Sequence, residues 1–399
     1  MTHPALEGGP IYLDYNATTP VDPRVLEEAM PYLMTHFGNP SSTHHYAAQP
    51  RRAVDQARSD VAQLVGGRAE EIVFTGGGSE TDDLAIRGAA LANGDRGNHV
   101  ITQVTEHPAV LEACRSLEED GFRVTYLPVD QHGRVDPADL RNAITTDTVL
   151  VSIMLANAET GTLQPVRELA AVAHEHQALF HTDAAQAVGK IAVDVDQLGV
   201  DLVTLVGHKM YAPKGVGALY VRTGTRLRPS IRGGGQERGL RAGTENVALV
   251  TALGAAARVA SEDLPDSAAH LAELRDHLHA RLVTLLPDRV QLNGHPTERL
   301  PGTLNVSIAG TNGRRLLAAV PEVAASTGSA CHEGIDQPSA VLTAMGLSLD
   351  RATAAVRLTL GRWTTEADVE QAAHLIATQV GLHQAKVSMR DGSGAGWPG

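Results

Sequence analysis

Short β-branched runs alternate with Ala/Leu/Glu-rich stretches of helical period from Glu71 onward, and this alternation limits the fold more than any other feature of the chain. EIVFT precedes SETDDLAIRGAALA, NHVITQV precedes HPAVLEACRSLEE, and TVLVSIML precedes PVRELAAVAHEH. Parallel neighbours need a crossover between them, so the pattern predicts an α/β fold with a mainly parallel sheet covered by helices. The series continues through ALFHTDAA and DLVTLVGHK, then changes character at the Gly-spaced GVGALYV and the Gly-rich RGGGQERGLRAGTEN. Catalytic loops are expected at the strand ends of this region.

After about Leu264 the pattern resets to a long helix, HLAELRDHLHARLVTLL, followed by strands around LPGTLNVSI and AAVRLTL. The reading is a large domain over 18–263, a smaller α+β domain from 1–17 plus 264–387, and a disordered Gly/Ser/Pro-punctuated tail over 388–399. A chain of 399 residues, 43% hydrophobic, can bury two cores of this kind. The formal charge of −13, with no Lys/Arg run and 3% aromatics, signals no direct nucleic-acid partner. Two cysteines, Cys114 and Cys331, exclude a disulfide scaffold and a four-cysteine metal site. No basic-then-apolar leader and no uninterrupted run of eighteen apolar residues is present, so the expectation is a cytoplasmic protein with no membrane span.

FTGGGSET, Phe74 to Thr81, sets a glycine turn between a strand and a helix, where free N–H groups and the helix dipole suit an anion. It matches no nucleotide fingerprint, and a plain strand-to-helix turn reads the same way. Asp183 ends the strand-like FHTD, 26 residues before Lys209 in VGHKMYAPKG. At successive strand ends the two would meet. For pyridoxal phosphate the pair has a reason, since the carboxylate keeps the ring nitrogen protonated and the lysine forms a Schiff base with the aldehyde. An Asp cap and a solvated loop lysine are the alternative.

The ordered segments YLDYNATTP, FGNPSSTHH, FTGGGSE, TEHPAV, HTDAAQ, GHKMYAPKG, GGGQERGLRAGTEN, STGSAC and RLTLGRWTT resemble the NifS/IscS-like cysteine desulfurases, from about Tyr12 to Thr365. The resemblance implies a pyridoxal-phosphate transferase fold of type I, with a seven-stranded, mainly parallel sheet, usually as a homodimer. It makes Lys209 the Schiff-base lysine, Asp183 the partner of the ring nitrogen, and His107 the imidazole over the ring. Gln186 would reach the phenolic oxygen. Gly78, Ser79 and His208 would hold the phosphate, with Thr244 reaching over from a second subunit. Asn39 and Arg357 would clamp the substrate carboxylate. Taken singly, Asn39 also reads as part of a GNP turn, Thr244 as part of a Gly-rich loop, Arg357 as a strand-end arginine and His107 as a helix cap.

Cys331 lies in STGSACHEGIDQPS, a run of small and polar residues with the look of a loop, whereas Cys114 falls on the apolar stripe of VLEACRSL. The resemblance makes Cys331 the nucleophile that takes sulfur from L-cysteine as a persulfide, for delivery to an acceptor protein of iron–sulfur assembly or thiolation. His332 would favour its thiolate, and Glu333 and Asp336 would oppose it. Three positions depart from the family. Ala158 stands where relatives carry the second Asn of Asn-Asn-Glu, Val206 replaces a Ser or Thr, and Ser79 replaces a Thr. Two lost hydrogen bonds to charged groups, at about 1.5 to 3 kcal/mol each, would weaken cofactor retention by about a hundredfold or more. Other pyridoxal-phosphate reactions, such as selenocysteine lyase or aminotransferase chemistry, and a cofactor-poor paralogue without catalysis remain as alternatives.

Overall fold

The computed structural model describes residues 3–328 and 338–392. The chain opens with β1 (Ile11–Tyr12), α1 (Pro23–Met34) and α2 (His45–Leu64). Asp22 caps α1 by accepting the Arg24 N–H, and Pro23 occupies a first-turn position where no donor is needed.

The alternating region then forms β2 (Ile72–Thr75), α3 (Gly78–Ala92), β3 (His99–Gln103), α4 (Pro108–Glu119), β4 (Arg123–Leu127), α5 (Pro137–Ala143), β5 (Thr148–Ser152), α6 (Val166–Glu175), β6 (Leu179–Asp183), α7 (Val195–Leu198), β7 (Leu202–Val206) and β8 (Gly217–Val221). These seven strands make one sheet in the order β2-β8-β7-β6-β5-β3-β4. β8 runs antiparallel to β2 and β7, and the other six share one direction. Every residue of β2, β3, β5, β7 and β8 is buried, which is why these strands read as continuous apolar runs rather than alternating ones.

A single helix, α8 (Val247–Leu285), follows, capped by Asn246. The sequence suggested a new helix near Leu264. Instead α8 runs straight through Pro265. Proline removes one helical hydrogen bond there, but packing holds both halves: Val250, Leu253 and Ala257 lie in the large core, and Leu274, Leu278 and Leu282 in a second one. The expected division at 263/264 therefore falls inside a helix.

The second core forms under β9 (Val290–Leu292), β10 (Thr303–Ile308), α9 (Gly313–Ala318), β11 (Val323–Ala324), β12 (Ala355–Thr359) and α12 (Glu366–Gly392), while α10 (Ala340–Ala344) and α11 (Leu349–Thr353) pack a separate small cluster. β10 pairs antiparallel with β9 and β12, and β1 pairs parallel with β11, so Leu13 of the N-terminal segment is buried in this core. α12 continues to Gly392, five residues into the stretch read as a disordered tail. No helix among the described residues is long and apolar enough to cross a membrane.

α8 packs along α2, and a Cβ at Gly254 would lie 2.5 Å from Ala57 Cα and 2.6 Å from its Cβ. Alanine is the better helix former by about 1 kcal/mol, but overpacking against backbone costs about 1–3 kcal/mol. Gly254→Ala should therefore lower the thermal unfolding midpoint; an unchanged or raised midpoint would show that the two helices can separate freely.

Candidate active site

The same edge of the central sheet gathers the chemistry-bearing side chains. β2 ends at Thr75 and turns through Gly76 and Gly77 into α3, whose first-turn N–H groups have no partner within the helix. Ser79 is exposed there. A Cβ at Gly78 would meet Val206 Cγ2 at 2.9 Å, so a glycine is what lets α3 start against the end of β7. Glu80 braces the turn, accepting the Gly76 N–H at 2.9 Å and pairing with Arg241 at 2.8 Å.

β7 leads into a tight helical turn, Gly207–Lys209. Lys209 Nζ donates to the carbonyl oxygens of Asn16 and Ala17, both at 2.7 Å. His208 Nδ1 lies 3.2 Å from Thr18 Oγ1, and the Thr19 N–H donates to the His208 carbonyl at 3.1 Å. Burial, followed by the charges of Lys209, Lys214 and Lys190, pushes the His208 imidazole down to about 4.

On the neighbouring strand Asp183 pairs in register with Thr204 of β7, and its Oδ1 accepts the Ala185 N–H at 2.8 Å. Burial raises its carboxyl above the usual range, while His107, the Ala185 N–H and Lys209 pull it back. Asp82 of α3 and Glu106, both fully enclosed, are pushed well above that range by burial, with Asp183 adding to the shift, while the Thr204 hydroxyl opposes it at Asp82 and the Met154 N–H opposes it at Glu106. Among these three acids, Asp183 is the one with cations beside it to favour the anion. His107 caps α4, its Nδ1 accepting the Ala109 N–H at 3.2 Å, and its ring is exposed. Partial enclosure lowers this imidazole, with Asp183 opposing and Lys209 reinforcing. The capping and ring roles are compatible, because capping uses one nitrogen only.

Gln186 is buried and its Nε2 donates to the Asn16 carbonyl at 2.9 Å. Asn157 gives its amide hydrogens to the Thr105 carbonyl and the Met154 thioether and accepts the Glu159 and Thr160 N–H groups, so it has no capacity left to replace the amide absent at Ala158. Val206 is buried, packed toward Gly78, and supplies no hydroxyl.

Arg357 on β12 is buried, donating from Nη2 to Asp14 Oδ1 at 2.8 Å and from Nη1 to the Ala158 carbonyl at 3.1 Å. Its Nε has no hydrogen-bond partner among the described residues. Asn39 stands apart in an exposed turn, with its Oδ1 accepting the Ser41 N–H at 2.9 Å. Thr244 is exposed on the loop before α8. Cys331 lies outside the described residues, but both flanks of its segment are described: Ser339 donates its hydroxyl to Glu159 Oε2, and Gly328 lies against the same carboxylate. Cys114 is fully buried, and burial pushes its thiol up to about 12.

Asp14, Asn16, Glu159 and Lys190 also belong to this cluster, yet nothing in the sequence singled them out. The one local signal was the four-residue spacing of Gln186 and Lys190, which places their side chains on one side of a turn.

The donor set fits pyridoxal phosphate: a glycine-started helix of 15 residues for the phosphate, a buried carboxylate for the ring nitrogen, an exposed imidazole and a lysine amine on the adjacent strand end.

The family model described as aminotransferase class-V matches residues 11–372. A cysteine desulfurase IscS of Rickettsia bellii is 44% identical, over 93% of this chain and 91% of its own length. One from Dictyoglomus turgidum is 46% identical, over 90% and 91%. Among solved structures, a NifS-like protein superposes with a TM-score of 0.88 at 36% identity, covering 94% of this chain and all of its own. SspA in complex with cysteine gives 0.78 at 39% identity, covering 89% and 99%.

In cofactor-free protein, NMR of labelled histidines should find His208 titrating near pH 4, hence neutral at pH 7. Added inorganic phosphate should move that midpoint upward, because an anion favours the imidazolium. A midpoint indifferent to phosphate would remove His208 from the anion site.

Proposed function

The chain belongs to the class-V aminotransferase family and, within it, to the NifS/IscS-like cysteine desulfurases, and from that membership we propose that it converts L-cysteine to L-alanine, leaving the sulfur on Cys331 as a persulfide. The observation that carries this reading is the meeting of Lys209, Asp183 and His107 at one sheet edge beside the start of α3.

Bound at this edge, pyridoxal phosphate supplies an electron-withdrawing ring that takes up charge when the substrate's Cα proton leaves. Lys209 tethers it and carries protons, and Asp183 holds the proton on the ring nitrogen. His107 would offer its imidazole to the cofactor, and Gln186 would give an amide hydrogen to it beside the Asn16 carbonyl. The Gly78 and Ser79 N–H groups with His208 hold the phosphate. Arg357 would receive the substrate carboxylate, for which it retains its Nε–H, whereas Asn39 lies apart in its exposed turn. The Cys331 thiolate then attacks the substrate sulfur, the carbon–sulfur bond breaks, and protonation of the carbon side yields alanine. The Glu159 contacts to Gly328 and Ser339 support this role, because they tether the segment's two flanks beside Ala158 and Arg357.

A sulfur-acceptor protein of iron–sulfur assembly or thiolation would take the persulfide sulfur, and the low cysteine count supports a cytoplasmic setting. A homodimer is supported by the apolar side chains that α1 and the next loop leave exposed, with Leu33 at 65%, Met34 at 76% and Phe37 at 78%. Thr244 of the partner subunit would then complete the phosphate site.

Incubated with L-cysteine, the protein should release alanine and gain one sulfur on the Cys331 peptide by mass spectrometry. Cys331→Ala should lower alanine release by about a hundredfold or more, the nucleophile contributing several kcal/mol. Full turnover without persulfide would indicate a lyase that does not use the thiol. Replacing Leu33 and Phe37 together by Asp should yield a monomer in sedimentation analysis with weaker cofactor retention; an unchanged dimer would place the interface elsewhere.

A further inference from the structure

Lys190 has no part in the mechanism above, yet its side chain ends inside the cluster. Its Nζ donates to Asn16 Oδ1 at 2.9 Å and to Gln186 Oε1 at 2.7 Å. An ammonium has donors only, so the oxygen of each amide must face it and each NH2 must point away. The Gln186 NH2 is thereby aimed at the Asn16 carbonyl, the same oxygen that holds Lys209. The Asn16 NH2 is aimed at the Ala158 carbonyl at 3.1 Å and Thr303 Oγ1 at 3.0 Å. Burial, reinforced by Lys209 and Arg357, pushes the Lys190 ammonium well below its usual range. A neutral amine still carries two hydrogens, one for each amide oxygen.

The orientation matters because amide donors are scarce here. Ala158 offers none, and the amide of Asn157 is fully engaged. Gln186 is left to donate toward whatever sits beside Lys209, and an amide free to flip would offer its oxygen as readily as its NH2.

We propose that Lys190 is a positioning residue that, by holding the amide oxygens of Asn16 and Gln186, locks the Gln186 NH2 away from itself and into the Lys209 site, and that this lock offsets the missing amide at position 158. The inference rests on the pyridoxal-phosphate reading above.

The test titrates cofactor-free protein with pyridoxal phosphate, follows the pH midpoint of the visible absorption once loaded, and records thermal unfolding of each variant. Failure of the wild-type protein to bind would overturn the cofactor reading and this inference with it. If wild type binds, Lys190→Met should weaken affinity by about tenfold, the worth of one hydrogen bond to a charged oxygen. It should also raise the pH midpoint, because the amide donor that favours the deprotonated form is no longer held in place. Lys190→Arg, still donor-only, should restore the wild-type midpoint. With Ala158→Asn in place a second donor is present, and the cost of Lys190→Met should shrink to about threefold or less through coupling at neighbouring sites. Equal losses in the two backgrounds overturn the proposal, since a residue that only supports the fold would cost the same whatever stands at 158. Should Lys190→Met not fold, Gln186→Leu decides the matter with Lys190 in place. It must show the same loss and the same relief by Ala158→Asn, and wild-type affinity and midpoint in that variant overturn the proposal.

Discussion

The carbonyl oxygen of Asn16 accepts from Lys209 Nζ at 2.7 Å and from Gln186 Nε2 at 2.9 Å, and the arrangement of the site depends on where that peptide is held. Four parts of the chain hold it. Its N–H donates to Thr359 Oγ1 on β12, its Nδ2 reaches Thr303 on β10 and the Ala158 carbonyl after β5, and its Oδ1 accepts from Lys190. Each bond is buried or nearly so, where an unmade partner costs about 1–3 kcal/mol, so the N-terminal segment has little freedom to shift. A segment of irregular backbone thus gains the rigidity that a reacting amine needs.

Charge is the second constraint. Lys190, Lys209 and Arg357 converge from three parts of the chain, and the charges of Lys209 and Arg357 add to burial in holding the Lys190 ammonium below its usual range. Lys209, close to the start of α3, gives a setting for a dianion such as a phosphate ester. On the opposite side Asp82 and Glu106 are so enclosed that burial favours their neutral forms, which leaves Asp183 as the carboxylate supported by His107 and Lys209.

Glu159 links this edge to the smaller domain. Burial raises its carboxyl, and the Ser339 hydroxyl and Arg357 oppose that shift. Because Gly328 and Ser339 both lie against it, the flanks of residues 329–337 are set one residue from Ala158, whose carbonyl Arg357 already holds. The placement of these two flanks is thus coupled to Glu159 and, through Ala158, to Arg357.

The parallel sheet, its enclosing helices and the strand-end positions of Asp183 and Lys209 were legible in the sequence, because continuous β-branched runs alternating with helical periods permit few other solutions. His107, Gly78, Ser79 and His208 were legible through ordered motifs, and the structure brings them to the same edge as Lys209. The sequence alone did not reveal that α8 passes unbroken through Pro265, because packing of its two halves into separate cores outweighs a local breaker. Nor did it reveal the Asn16, Lys190 and Arg357 cluster, whose members lie up to 341 positions apart in the chain. Pattern and motif report what a residue does to its own segment. Hydrogen bonds across such separations follow only once closure of the two cores brings distant side chains within about 3 Å, and that was decided by the tertiary structure.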